Sequence, residues 1–133
     1  MRFPANLKGR LAAFFLSAAA AASALAAVPS DQPPAPIFVL NSLDASVSVI
    51  DPIRWSETQR IGTGKEPHHI YLTPDERSVI VANSASDSLT FFNPRTAEVQ
   101  RVVTGIIDPY HLRFSPDMKW FVTAGNRLNH VDV

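Results

Sequence analysis

Three of the four histidines in this 133-residue chain fall in two segments of matching type, Glu66-Pro67-His68-His69 and Asp108-Pro109-Tyr110-His111. Imidazole changes charge near neutral pH and is the commonest metal ligand, so a repeated proline-and-histidine segment invites a metal or cofactor reading. His68, His69, Asp108, Tyr110 and His111 are therefore the first candidate ligand-binding residues, with Arg127 added from a later loop. The plainer alternative is that each histidine opens a strand, satisfies backbone groups and packs beside its proline. Other chemistries fail on residue type. Gly62-Thr63-Gly64-Lys65 has Glu66 where a phosphate loop needs Ser or Thr, and Gln59 where it needs its first glycine. No Gly-x-Ser-x-Gly elbow is present. Asp75-Glu76 and Asp117 sit in turn-forming stretches, as solvated carboxylates sooner than an acid/base pair. No residue is assigned a catalytic role and no metal set is assigned. Trp55 and Trp120 read as packing residues before partner anchors.

Composition narrows the setting. With no cysteine, disulfides, thiolate metal sites and a covalent c-type haem motif are excluded. Twelve basic and twelve acidic residues balance overall, but 9 basic and 12 acidic side chains follow Ala27, which disfavours a nucleic-acid partner. The first residues explain the imbalance. Arg2, Lys8 and Arg10 precede an alanine-rich apolar stretch from Leu11, and Ala24-Leu25-Ala26 offers small residues before a cut. Residues 1–26 read as a secretory signal peptide and 27–36 as a proline-rich linker. The expectation is an exported, periplasmic bacterial protein with no stable membrane span after cleavage. A membrane anchor is the competing reading, disfavoured by weakly apolar alanine and by the prolines that follow.

Self-similarity organises the rest. Residues 37–78 align with 79–120, and a third unit occupies 121–133. Asn41-Ser42 matches Asn83-Ser84, Asp51-Pro52 matches Asn93-Pro94, and Thr73-Pro74-Asp75 matches Ser115-Pro116-Asp117. Gln59-Arg60-Ile61 aligns with Gln100-Arg101-Val102 only if a residue is lost after Pro94 and regained before Pro109. Apolar runs of four to six residues, broken by Pro, Asn, Asp and Gly, predict four short strands per unit. In order A to D they are expected at 69–73 and 111–115, at 37–40, 79–82 and 121–124, at 47–50, 89–92 and 128–131, and at 59–61 and 100–103. No helical periodicity stands out.

Four antiparallel strands about every 40 residues are the mark of a β-propeller blade. The run from Pro67 to Pro94, PHHIYLTPDERSVIVANSASDSLTFFNP, resembles the YVTN-type propeller repeat, in which proline opens strand A, a Pro-Asp turn follows and strand B ends in Asn. The resemblance covers 37–133 and implies an all-β fold of four-stranded blades. Two departures stand out. Glu76 and Met118 replace the usual turn glycine, which predicts type I turns without a left-handed residue, and the loop at Gly125-Asn126-Arg127 reads as about three residues short. A ring of four to eight blades needs roughly 170 to 340 residues. The 97 repeat residues make about 2.5 blades, so the chain is expected to be a fragment of a longer protein.

Blade topology gathers the candidates. Loops D–A and B–C share one rim, bringing the two histidine segments beside Asn41, Asp44, Asn83, Asp87 and Arg127. His69 and His111 occupy equivalent positions on adjacent blades. Packed sheets lie about 10 Å apart, which argues against one shared metal ion. The resulting expectation is a non-enzymatic binding or scaffolding propeller, with a protein or small-molecule ligand on this rim. The family's haem-binding relatives, the periplasmic nitrite reductases, imply an alternative: a redox accessory or oxidoreductase holding a haem-like cofactor and meeting a redox partner. His130 is expected to face the neighbouring blade.

Overall fold

The computed structural model describes residues 32–133; the expected signal peptide and the start of the linker lie outside the described residues. Ten strands form three antiparallel sheets. The first contains β1 (Ile37–Asn41), β2 (Ser46–Asp51) and β3 (Ser56–Gly62) in order. The second is a complete blade of β4 (Pro67–Leu72), β5 (Val79–Asn83), β6 (Ser88–Phe92) and β7 (Val99–Thr104). The third contains β8 (His111–Phe114), β9 (Phe121–Ala124) and β10 (Val131–Asp132). Among the described residues the first sheet has no A strand and the third no D strand, in keeping with a partial propeller. One 3₁₀ turn, Ser84–Ser86, is additional to the expected strands. Among the described residues no helix is long and apolar enough to cross a membrane.

Strand alternation builds two cores, one on each face of the complete blade. Val79 and Val81 of β5 join Val47 and Phe92 against the first sheet. Ile80 and Ala82, pointing the other way, join Leu89, Phe91 and Leu112 against the third. β5 is buried along its whole length because both faces meet a neighbouring sheet. Burying a side chain such as Ile80 or Phe92 contributes about 1.5–3 kcal/mol, so the sheet stack is held mainly by these seams.

The ladders correct the alignment in the outer strand. Ile61 pairs with Val47, and Val103 with Leu89, so the equivalent residues are Ile61 and Val103 with no insertion or deletion between units. A one-residue slip matching Ile61 to Val102 would turn the whole apolar set of β7 to the opposite face, which burial of Val103 in the second core forbids. Both units carry a bulge at the same place, between Val49 and Ile50 and between Phe91 and Phe92.

The turns depart from expectation too. Glu76 and Met118 have φ of 56° and 59°, so the Pro-Asp turns do end in a left-handed residue even without glycine. The pattern extends to every loop class. Ala45, Asp87 and Asn129 are left-handed at 42-residue intervals, as are the pairs Trp55 and Ala97, and Glu66 and Asp108. Asn129 shows that the third B–C loop is not short: Gly125 N–H bonds to His130 O at 2.7 Å, and the following strand starts at Val131, three residues later than expected. His130 precedes that strand and directs Nε2 to Asp132 Oδ1 at 2.7 Å.

Candidate functional site

The inner strand β4 opens with Pro67, whose ring nitrogen cannot donate to the ladder, and the residue after it is extra. Pro67 pairs with Asn83 and His69 with Ala82, which leaves His68 as a bulged residue between them. A bulge re-aims side chains, so His68 and His69 are both presented on the rim side of β4. In the next unit Tyr110, just ahead of β8, bonds through its N–H to Ala124 O at 3.0 Å, and His111 pairs with Ala124.

Equivalent residues of the two units meet across the seam. The His68 and Tyr110 rings lie with centroids 3.8 Å apart, and His69 meets His111 edge-on at 4.8 Å. The expected separation of about 10 Å is therefore wrong at this position. Spacing between sheets is set by side chains filling their faces, whereas inner strands converge at the narrow end of the blades, where β4 approaches β8. Tyr110 contacts His111 at 5.0 Å, making one continuous group of four rings. His68 and His111 are exposed, while His69 and Tyr110 are half-buried.

Two further residues belong here that the sequence reading passed over. Arg113 lies two positions after His111, on the same face of β8, and its Nη1 stands 3.5 Å from His69 Nε2. Its guanidinium also lies over the Tyr71 ring, 5.4 Å from the centroid. The period-two alternation of β8 was the available signal. Burial is the main cause that pushes the His69 imidazole below its ordinary range, helped by the charges of His111, Arg113 and His68. The shift favours the neutral imidazole, whose Nε2 can then accept from Arg113.

Asp108 and Arg127 occupy a different role from the rings. Asp108 is 1% exposed, and its two oxygens receive the Arg127 backbone N–H and, at 3.1 Å, the Arg127 Nε. Arg127 also bonds to Ser84 O in the neighbouring blade, and Asp108 N–H bonds to Asp87 Oδ1 at 2.9 Å. The carboxylate is spoken for, so this pair ties loops together beneath the rings. Gly125 makes room for it: a Cβ there would lie 3.2 Å from Asp108 Oδ2.

The remaining rim residues are also structural. Asn41 donates to Ser46 and Ser48, and Asn83 to Ser88 and Thr90, closing the B–C loops. Asp44 pairs with Arg60 at 3.1 Å. Ser84 and Ala85 N–H groups bond to Glu66 and Lys65 carbonyls, and Ser42 Oγ bonds to Pro67 O, so each D–A loop is fastened to a B–C loop. Trp55 and Trp120 are exposed on other turns and join no core. Among the described residues no group of three or more His, Cys, Asp or Glu side chains is placed to hold a metal ion. The rings instead offer stacking faces, imidazole nitrogens and one guanidinium.

Solved structures share this arrangement of sheets. The dihydro-heme d1 dehydrogenase NirN in complex with DHE matches with a TM-score of 0.60 at 21% identity, over 75% of this chain and 22% of its own. Hydrazine synthase of Kuenenia stuttgartiensis matches at 0.58 and 21% identity, over 77% and 32%. A functionally unknown protein from Desulfotomaculum acetoxidans matches at 0.58 and 19% identity, over 70% and 30%. At these identities the likeness is one of fold, and the chain spans less than a third of the length of each of these structures. No curated protein sequence matches it. The model of the YNCE-like β-propeller family matches residues 3–133, and together with the stacked antiparallel blades this places the chain in the YNCE-like β-propeller family.

Proposed function

We propose that this chain is an exported, periplasmic binding module of YVTN-type repeats, whose ligand site is the ring group on the inner strands. The observation that carries the proposal is the stacking of His68 on Tyr110 and of His69 against His111 across a blade seam. Stacked polar rings at an exposed rim offer flat faces and hydrogen-bonding edges, the features that recognise a small organic ligand or a protruding side chain of a partner protein.

The test uses the full-length protein, incubated with a periplasmic small-molecule extract, desalted and analysed by mass spectrometry. The wild-type protein is expected to retain a compound that His68→Ala and Tyr110→Ala release. Equal retention by all three would sink the proposal. Export is tested on the same material: the mature N-terminus is expected at Ala27 or within a few residues, and intact Met1 on the exported protein would contradict it.

A second reading places a haem-like group on the same rings, as part of a redox accessory propeller or oxidoreductase. What favours it is the 4.8 Å approach of His69 and His111, which brings side chains of both blades within reach of one flat group. The donor set fits such a group in kind: Tyr110 and His68 supply ring faces, and Arg113 a cation for an acidic substituent. The bound group would supply electron transfer, while these residues would hold and orient it. Absorbance above the protein band in the natively purified protein distinguishes the two readings, and a colourless product would retire the second.

A further inference from the structure

Arg113 is a permanent cation that pairs with no anion among the described residues. Among the described residues every ion pair is made by other side chains, and the contacts of its guanidinium are His69 Nε2 at 3.5 Å, the Leu112 carbonyl at 3.2 Å and the Tyr71 ring. None of the groups in contact with its guanidinium is a carboxylate. On β4 the titratable neighbours are His68, His69 and Tyr71, and on β8 and its approach Tyr110 and His111. β1, β5 and β9, packed against these strands, carry none. The carboxylates at the rim are engaged elsewhere, Asp108 by Arg127 and Glu66 Oε2 by the Ser84 hydroxyl.

We infer that Arg113, His69 and His111 form a recognition site for an oxyanion, a carboxylate or phosphate group carried by the ligand of the ring site. This rests on the binding reading above and gives its ligand a chemical class. A guanidinium fork suits either oxyanion, and both ring nitrogens of a protonated imidazole donate. In the free protein, protonating His69 brings its charge against Arg113 and His111, in keeping with its lowered proton affinity. An oxyanion set among the three reverses that balance. Binding is therefore coupled to proton uptake: the anion raises the affinity of His69 for a proton, and by reciprocity acid tightens anion binding.

The experiment follows the histidine C2–H resonances of full-length protein through a pH titration by NMR, with phosphate, acetate or chloride at matched ionic strength. Phosphate, acetate or both are expected to raise the His69 midpoint by about half a unit to one unit, equivalent to roughly three- to tenfold tighter binding by the protonated site. Which of the two acts identifies the ligand's acidic group. His130, paired with Asp132 away from the rings, serves as internal reference and is expected not to move. Arg113→Gln is expected to abolish the rise while leaving the His130 resonance unchanged, and Arg113→Lys to retain part of it. Equal shifts with chloride, no shift with either oxyanion, or a full shift in a folded Arg113→Gln protein would overturn the inference. If oxyanions fail while His68→Ala and Tyr110→Ala still release an extracted compound, only the oxyanion assignment falls. If that release fails as well, the binding reading falls with it.

Discussion

Arg127 reaches back 19 residues to Asp108 with both its backbone N–H and its Nε, and crosses the blade seam to the Ser84 carbonyl. Unit three has Gly125 where the earlier units have Asn41 and Asn83, so the asparagine that closes those B–C loops is missing. The Asp108 carboxylate lies beside the space a Gly125 side chain would fill and does the closing instead.

This replacement makes the rim acid-sensitive. Burial raises the Asp108 carboxyl, but the Arg127 backbone N–H, its side-chain hydrogen bond and its charge outweigh burial and hold the group below its ordinary value of 3.8. A depressed carboxylate contributes stability that is present above the unfolded value and is lost as pH falls through the folded one. Thermal melts are expected to show Asp108→Asn destabilised at neutral pH, with its deficit shrinking as pH drops below 3.8. A deficit independent of pH would contradict the pairing.

Gly64 is required by close approach. A Cβ there would lie 2.7 Å from Asn83 Cβ and 2.8 Å from Ser88 Oγ, between the D–A and B–C loops. Gly64→Ala is expected to cost about 1–3 kcal/mol in urea unfolding, the usual penalty of overpacking. Gly62, with open space around its Cα, is the control, and Gly62→Ala should fall well short of that loss.

Asn83 is fully buried and donates to Ser88 Oγ at 3.2 Å and Thr90 Oγ1 at 3.0 Å. Replacing it by alanine removes the amide partner of both hydroxyls, leaving Ser88 with Ser86 Oγ alone, at a cost of about 1–3 kcal/mol. Asn41→Ala, at the equivalent but half-buried position, is expected to lose less, because removing a side chain that itself borders solvent opens the buried Ser46 and Ser48 hydroxyls to water. Equal losses for the two variants would show that burial is not the deciding factor.

Met118 is exposed and left-handed at φ 59°, a conformation that glycine adopts without strain. Met118→Gly is expected to stabilise the Pro-Asp turn by about 0.5–1 kcal/mol, the relief exceeding the added freedom of the unfolded chain. A lower unfolding midpoint would mean that the methionine side chain stabilises the cleft it shares with Phe91, Phe114 and Phe121.

Short apolar runs with period-two alternation, cut by Pro-Asp and Asn-Pro turns, are local signals, and they were enough to place nine of the ten strands, the strand order and the incomplete outer blades; the tenth, expected over 128–131, forms only at Val131–Asp132. They also placed the two histidine segments on one rim, because strand order alone decides which loops share an end. Register across β7 was not legible: Gln-Arg-Val matches Gln-Arg-Ile in type, and only the ladder to β6 and the core beyond it choose the face. Nor were the left-handed turns, since Glu76 and Met118 carry no local preference for positive φ and adopt it to close a hairpin between two paired strands. Distance between blades lay furthest from reach. A sequence states that His69 and His111 are equivalent, but their 4.8 Å approach, the bulge that turns His68 toward Tyr110, and the position of Arg113 beside His69 follow from convergence of separately formed sheets. That convergence is set by the side chains packed in the seam, a property of the whole stack and of no single segment.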